Sequence, residues 1–210
     1  MTKHIDKDIS KYSVSGRPSE GGNRSAATHK AIIDAALQVL EEAGYQGFSI
    51  EAVAARARAG KPTIYRWWKS KGALLIEIGE QVFSPLFNLP ELGSVAGELD
   101  QYMLTLWGLL HKYPNIVKGA FSAAQHDTET ALQLRDRLLS RRRAIIRGIL
   151  SRGLDRGEIP RGTDIDTAAD IFLGVNVFRL LIDEPIDQRT GRQLVSILLH
   201  GVAAVDRPNA

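Results

Sequence analysis

Residues 61–75 read KPTIYRWWKSKGALL: four basic side chains surround a Tyr and two adjacent tryptophans, a Pro stands second, and no acid interrupts. Pro lacks a backbone N–H and has φ fixed near the helical value, so it is tolerated only in the first turn of a helix. A helix is therefore expected to start at about Lys61. Its outward positions are Lys61, Thr63, Tyr65 and Arg66, while Ile64 and Trp68 fall on the opposite face and anchor it. Two roles stay open for Trp67: stacking on bases or donating its indole N–H to a phosphate, and leaning on Phe48 as filler.

Working outward, "IEAVAARAR" precedes this segment with Ser49 in place to cap it and Glu51 in the first turn, where the helix dipole favours an acid. Gly60 sits where the chain must turn. Upstream, "SAATHKAIIDAALQVLEEAG" carries Ile32, Ala36, Leu37 and Leu40 on one face and stops at Gly44. Downstream, Ser70 caps a longer helix with Leu75, Ile78, Val82 and Leu86 on one stripe, closed by Pro85 and Pro90. Two short helices joined tightly, the second rich in basic and hydroxyl side chains, have the layout of a helix-turn-helix, whose second helix enters the major groove. Lys71, beside the free N–H groups that open the fourth helix, makes a phosphate seat.

Charge agrees with that division of labour. Residues 1–75 carry twelve Lys and Arg against seven Asp and Glu, and the remainder fifteen against seventeen. Six basic residues and no acid lie between Arg56 and Lys71, a local field that attracts phosphate. Cysteine is absent, which removes disulfides and thiolate chemistry and fits a reducing cytoplasm. No apolar run is long enough to span a bilayer, so no membrane association is expected. The five histidines lack metal-ligand spacing and no paired carboxylates stand out, so no catalytic residue, metal or cofactor is expected.

Residues 1–24, ending in "SGRPSEGGNR", read as a flexible basic arm, residues 25–71 as a three-helix DNA-binding domain, and residues 72–210 as a larger helical domain. Helical stripes recur in "SVAGELDQYMLTLWGLLHKY", "NIVKGAFSAAQ" and "TALQLRDRLLSRRRAIIRGILSRGL". The last two segments, "DTAADIFLGVNVFRLLI" and "GRQLVSILLHGVAAV", are apolar almost all round, which calls for burial on two sides. The expected class is all-α, with about nine helices.

The run "GYQGFSIEAVAARARAGKPTIYRWWKSKGALL", residues 44–75, resembles the DNA-binding signature of the TetR family of transcriptional regulators. The family's Gly and Phe before a capped second helix, its Thr-x-Tyr, its aromatic position and its Ser-Lys correspond here to Gly47, Phe48, Ser49, Thr63, Tyr65, Trp67, Trp68, Ser70 and Lys71. The arm's Gly16–Pro18 is similar to family members whose basic tails reach DNA. One departure concerns the turn, where the family usually has Gly-Val-Ser and this chain has Arg58, Ala59 and Gly60. Either the turn re-forms around Gly60, or Arg58 accepts a positive φ at some cost.

The resemblance implies a repressor that binds double-stranded DNA through Ser49, Lys61, Thr63, Tyr65, Arg66, Trp67 and Lys71. It also implies a homodimer through the last two helices, released from a palindromic operator by a small-molecule effector. The alternatives are an all-α carrier of small molecules or lipids with an incidental basic patch, and an all-α enzyme. Candidate effector contacts in the larger domain are Tyr102, Trp107, His111, Phe121, Gln125, Phe172, Asn176 and Arg179. Asn176 and Arg179 interrupt an apolar helix at a spacing that gives them one face, so a buried guanidinium there needs an internal carboxylate, a partner subunit or a ligand to answer it.

Overall fold

In this computed structural model residues 20–184 and 187–201 are described, with side chains from residue 25. Among the described residues every regular element is helical, and nine helices follow one another. They are α1 (Glu20–Gly47), α2 (Ile50–Ala57), α3 (Lys61–Trp67), α4 (Lys71–Val82), α5 (Val95–Lys112), α6 (Pro114–Ala124), α7 (residues 128–155), α8 (Ile165–Leu181) and α9 (Gln188–His200). A short 3₁₀ segment, Ser84–Asn88, follows α4. The first 19 residues, with the Gly16–Pro18 part of the arm, lie outside the described residues; helical backbone begins at Glu20, five positions before the expected start.

Local chemistry explains the boundaries. Gly44 leaves helical geometry at φ 63°, where only a residue without Cβ is unstrained, and so ends the straight part of α1. The Ser49 hydroxyl accepts from the Ala52 N–H at 3.1 Å and the Ser70 hydroxyl from the Ala73 N–H at 3.1 Å, each cap contributing about 1 kcal/mol. The departure at the turn resolves in favour of the arginine: Arg58 adopts φ 50°, ψ 40°, and the Ala59 N–H reaches back to the Ala54 carbonyl at 3.0 Å in a Schellman closure. Gly60 stays in ordinary extended backbone and precedes α3 without a side-chain cap. The strain at Arg58 costs about 1 kcal/mol.

α7 is one helix with a fault in it. Thr128–Gln133 and Ser140–Asp155 are α-helical, and Leu134–Leu139 between them is π-helical, with helical dihedrals at both joins. Its first half lies against α4, where Gly72 leaves no room for a Cβ beside Thr130 and Gly79 brings the backbone within 3.0 Å of the Leu138 side chain, measured from the position a Cβ would take. Arg137 holds Glu80 of α4 through two hydrogen bonds. α4 also packs against α6, whose Ile116 meets it at the same Gly79.

One apolar core runs without a break from Ile32, Phe48, Ile64 and Trp68 through Leu75 and Ile78 to Leu99, Tyr102, Ile146 and Phe172. The boundary expected at residue 71 thus falls at the start of a helix whose side chains serve both halves. The last two helices differ from their sequence reading in one respect. α9 is amphipathic, burying Gly191, Leu194 and Val195 while Arg192, Gln193 and Ser196 face out; the "VAAV" that completes its apolar run lies outside the described residues. α8 keeps the two-sided character: Phe172 and Asn176 are buried inward, while Ile171 (53 % exposed) and Phe178 (61 %) lie on an outer face with Leu181 and Ile182. No helix among the described residues is long and apolar enough to cross a membrane.

Candidate nucleic-acid interface and effector cavity

α3 stands on two buried anchors. Ile64 is fully buried and Trp68 nearly so, its indole N–H donating to the Glu77 carboxylate at 2.6 Å. Glu77 also takes the His29 imidazole at 2.9 Å, and His29 lies 4.8 Å from the Trp68 ring. This His–Trp–Glu cluster ties α1, α3 and α4 together. Sequence reasoning passed over His29, since nothing near it in the chain marks the residue it meets.

With those anchors fixed, the opposite face of α3 presents Lys61, Tyr65 and Arg66 to solvent, with Thr63 half-buried beside them. The Lys61 ammonium is paired with Glu51 of α2 at 3.0 Å, which raises the lysine above its usual range and lowers the carboxylate. Arg56 is likewise held by both Glu42 oxygens, at 2.6 and 2.5 Å. Arg58 and Lys69 are exposed and make no ion pair among the described residues. Trp67 leans on His29, edge to face at 5.2 Å, rather than on Phe48, and the Arg66 guanidinium covers it at 5.0 Å. Trp67 is thus half-buried at the edge of the cluster, packed on its own subunit.

Lys71 is less free than a phosphate hook would be: its ammonium donates to the Phe48 carbonyl at 3.3 Å and lies 4.1 Å from the centre of the Tyr45 ring. Two of its three donors remain. Ser49 accepts from the Ala52 N–H at the α2 N-terminus through its oxygen, which leaves its own hydroxyl able to donate.

Because Lys61 must leave Glu51 to reach a phosphate or a base, Glu51→Gln is expected to tighten binding to any duplex several-fold and to steepen its salt dependence. Fluorescence anisotropy over a salt series measures both; an unchanged affinity and slope would mean that the freed Lys61 makes no contact with the duplex.

The candidate effector residues of the larger domain separate into groups. Tyr102 and Phe172 are fully buried with ring centres 6.0 Å apart, and Asn176 joins them by donating to the Phe172 carbonyl at 2.7 Å. Trp107 and His111 line instead an open cleft of about 310 Å³ between α5, α6 and the end of α8. Phe121 packs against the core and Gln125 is exposed at the end of α6.

Of the three answers expected for Arg179, the structure supplies an internal carboxylate: its side chain is 26 % exposed, and Glu184, five residues on, lies 3.5 Å away. The chain turns back after α8, a feature that periodicity within the helix does not show.

The comparisons with known proteins come to the same place. Residues 32–78 match the bacterial regulatory proteins of the tetR family, and residues 89–198 match the tetracyclin repressor-like C-terminal domain. HTH-type transcriptional regulator YdeS of Bacillus subtilis is 30% identical over 191 residues, which cover 90% of this chain and 94% of that protein. The DNA-binding transcriptional repressor TetR of Mycobacteroides abscessus is 31% identical over 190 residues, 86% of this chain and 95% of that one. Among solved structures, the transcription regulator SCO0332 superposes with a TM-score of 0.69 at 29% identity, covering 84% of this chain and 98% of that chain.

Proposed function

Since the chain belongs to the TetR family of transcriptional regulators, and is accordingly a ligand-responsive DNA-binding protein and not an enzyme, we propose that it is a repressor. In this reading two copies pair through α8 and α9, and their α3 helices enter successive major grooves of a palindromic operator. One observation carries the DNA-facing assignment: α3 buries Ile64 and Trp68 and turns Lys61, Tyr65 and Arg66 outward from a segment with six basic residues and no acid. Thr63 and Trp67 flank that face, and Ser49 and Lys71 supply backbone contacts from the starts of α2 and α4, where helix N-termini favour phosphate.

Release follows from two-state binding. α4 begins at the DNA-facing end, at Lys71, and is gripped along its length by α6 and the first half of α7. An effector that favours a different seat for α4 moves the two α3 helices off the spacing of about 34 Å that successive grooves demand. DNA and effector then oppose each other reciprocally.

The test is selection from a randomised duplex pool followed by anisotropy on the selected sequence. An inverted repeat with half-sites about one helical turn apart is expected. On that duplex Tyr65→Ala is expected to cost roughly 1–3 kcal/mol, and much less on scrambled DNA. Lys71→Ala should weaken both and lower the salt slope by about one. Equal losses for Tyr65→Ala on both duplexes would reduce it to a backbone contact, and selection of no repeat would overturn the dimeric reading.

A further inference from the structure

A second cavity in the larger domain, distinct from the open cleft, lies between α5, α6, α7 and α8. Seven leucine and valine side chains line it, among them Leu106, Leu139, Leu173 and Val177, and only two polar residues, Arg142 and Asn176, break that lining. Arg142 is 7 % exposed, and its Nε and Nη2 are buried and make no hydrogen bond. No carboxylate among the described residues pairs with it. Tyr102, whose charge would act on Arg142, is fully buried with its hydroxyl also unpartnered, and desolvation holds the phenol above its usual range and therefore neutral. Asn176 donates to the Phe172 carbonyl and leaves its Oδ1 without a donor. A guanidinium stays charged in a protein, and a charge left in an apolar interior with open donors is among the most costly arrangements a fold can hold.

The geometry of what is open narrows the answer. One face of the guanidinium is covered by the Phe83 ring, 4.1 Å from Cζ, so a ligand has the edge to use. The two unfilled donors, Nε and Nη2, form the side-on fork that two oxygens of one carboxylate match with parallel hydrogen bonds. A phosphate dianion would bring more acceptors than this site has charge or donors to meet. The free space is about 20 Å³, room for a water and no more, so an effector must part the leucines of α7 and α8 to enter.

We propose that this cavity takes a small monocarboxylate with an apolar body, its two oxygens on the Nε and Nη2 edge of Arg142 and its hydrocarbon among the leucine and valine side chains. The inference rests on the reading of the larger domain as the effector domain and names the chemical class that domain recognises. It also gives the effector a short route to DNA: Phe83, stacked on Arg142, is the residue that terminates α4.

The probes are octanoate, octan-1-ol and octylammonium, three head groups on one body, added to the full-length protein and followed by thermal shift and titration calorimetry. Octanoate is expected to raise the melting temperature and to bind roughly ten-fold or more tightly than the alcohol, the preference that a charge-assisted bidentate pair supplies. Octylammonium is expected to have no effect. Arg142→Met should erase the preference for carboxylate over alcohol; Arg142→Lys, which keeps the charge and loses the fork, should erase most of it and serves if the Met variant does not fold. Equal binding of octanoate and octanol, no shift with octanoate at millimolar concentration, or a preference that survives in both variants overturns the assignment. Band-shift assays on the selected duplex separate the two readings. Arg142-dependent octanoate binding that leaves the DNA complex intact upholds the carboxylate site and counts against release by effector. A compound that releases DNA equally from wild type and Arg142→Lys does the reverse.

Discussion

Phe178→Glu is expected to yield a folded monomer that no longer holds the selected duplex. Phe178 is 61 % exposed on the outer face of α8, in line with Ile171 and Ile182 and outside the subunit's buried core, so the substitution removes little internal packing. In a two-fold dimer every change appears twice in one interface, and two carboxylates would be buried there without partners. The dimer dissociation constant is expected to rise by more than about a hundred-fold, while helicity and thermal stability of the isolated subunit are preserved. Sedimentation equilibrium at micromolar concentration measures the first and circular dichroism the second. Leu198, half-buried against its own subunit's core, is the poorer probe, because a charge there would damage the fold as well. A wild type that sediments as a stable monomer would remove α8 from the interface.

The second large effect concerns the anchor of α3. Trp68→Ala removes a side chain that is 2 % exposed, fills the space between α1 and α4 and donates to Glu77. A loss of about 3–5 kcal/mol is expected, enough to unseat α3 and abolish DNA binding at temperatures where the larger domain remains helical. Trp68→Phe keeps most of the ring and loses the donor, and should cost about 1–2 kcal/mol, because Glu77 retains His29. Urea unfolding of the three proteins reads the series; equal midpoints for wild type and Trp68→Ala would show that α3 is held elsewhere.

What could be read beforehand was whatever the chain declares locally. Ser49, Ser70 and Pro62 act within a few residues of themselves, and each boundary they mark is where the structure has it, while Gly44 breaks α1 with a kink and the helix runs on to Gly47. The buried and exposed sides of α3 followed from helical spacing alone. Arg142 was hidden for the opposite reason. It sits in "LRDRLLSRRRAIIR" among five other arginines, and only the approach of Phe83, 59 positions earlier, and of α8 makes its surroundings different from theirs. Arg179 drew attention because its neighbours in sequence are apolar, and the turn after α8, invisible to periodicity, brings Glu184 to it half-buried. The π-helical fault of α7 has no marker in composition either: "LRDRLL" is good α-helical sequence, and the wider turn is a response to what lies on both sides.

That fault separates two kinds of change in this molecule. A π turn accommodates one residue more than an α-helix would, so it offsets the angular register of everything beyond it by about 100°. Much of the grip on α4, through Thr130, Arg137 and Leu138, is set before or within the fault, while Arg142 comes after it and Leu139 of the cavity lining is its last residue. Gain or loss of a single residue there would rotate Arg142 and the helix beyond it while leaving Thr130 and Arg137 on α4. Descendants of such a chain would inherit the same hold on the operator and a different chemistry in the cavity, a route by which one scaffold comes to answer to unrelated compounds without relearning its DNA.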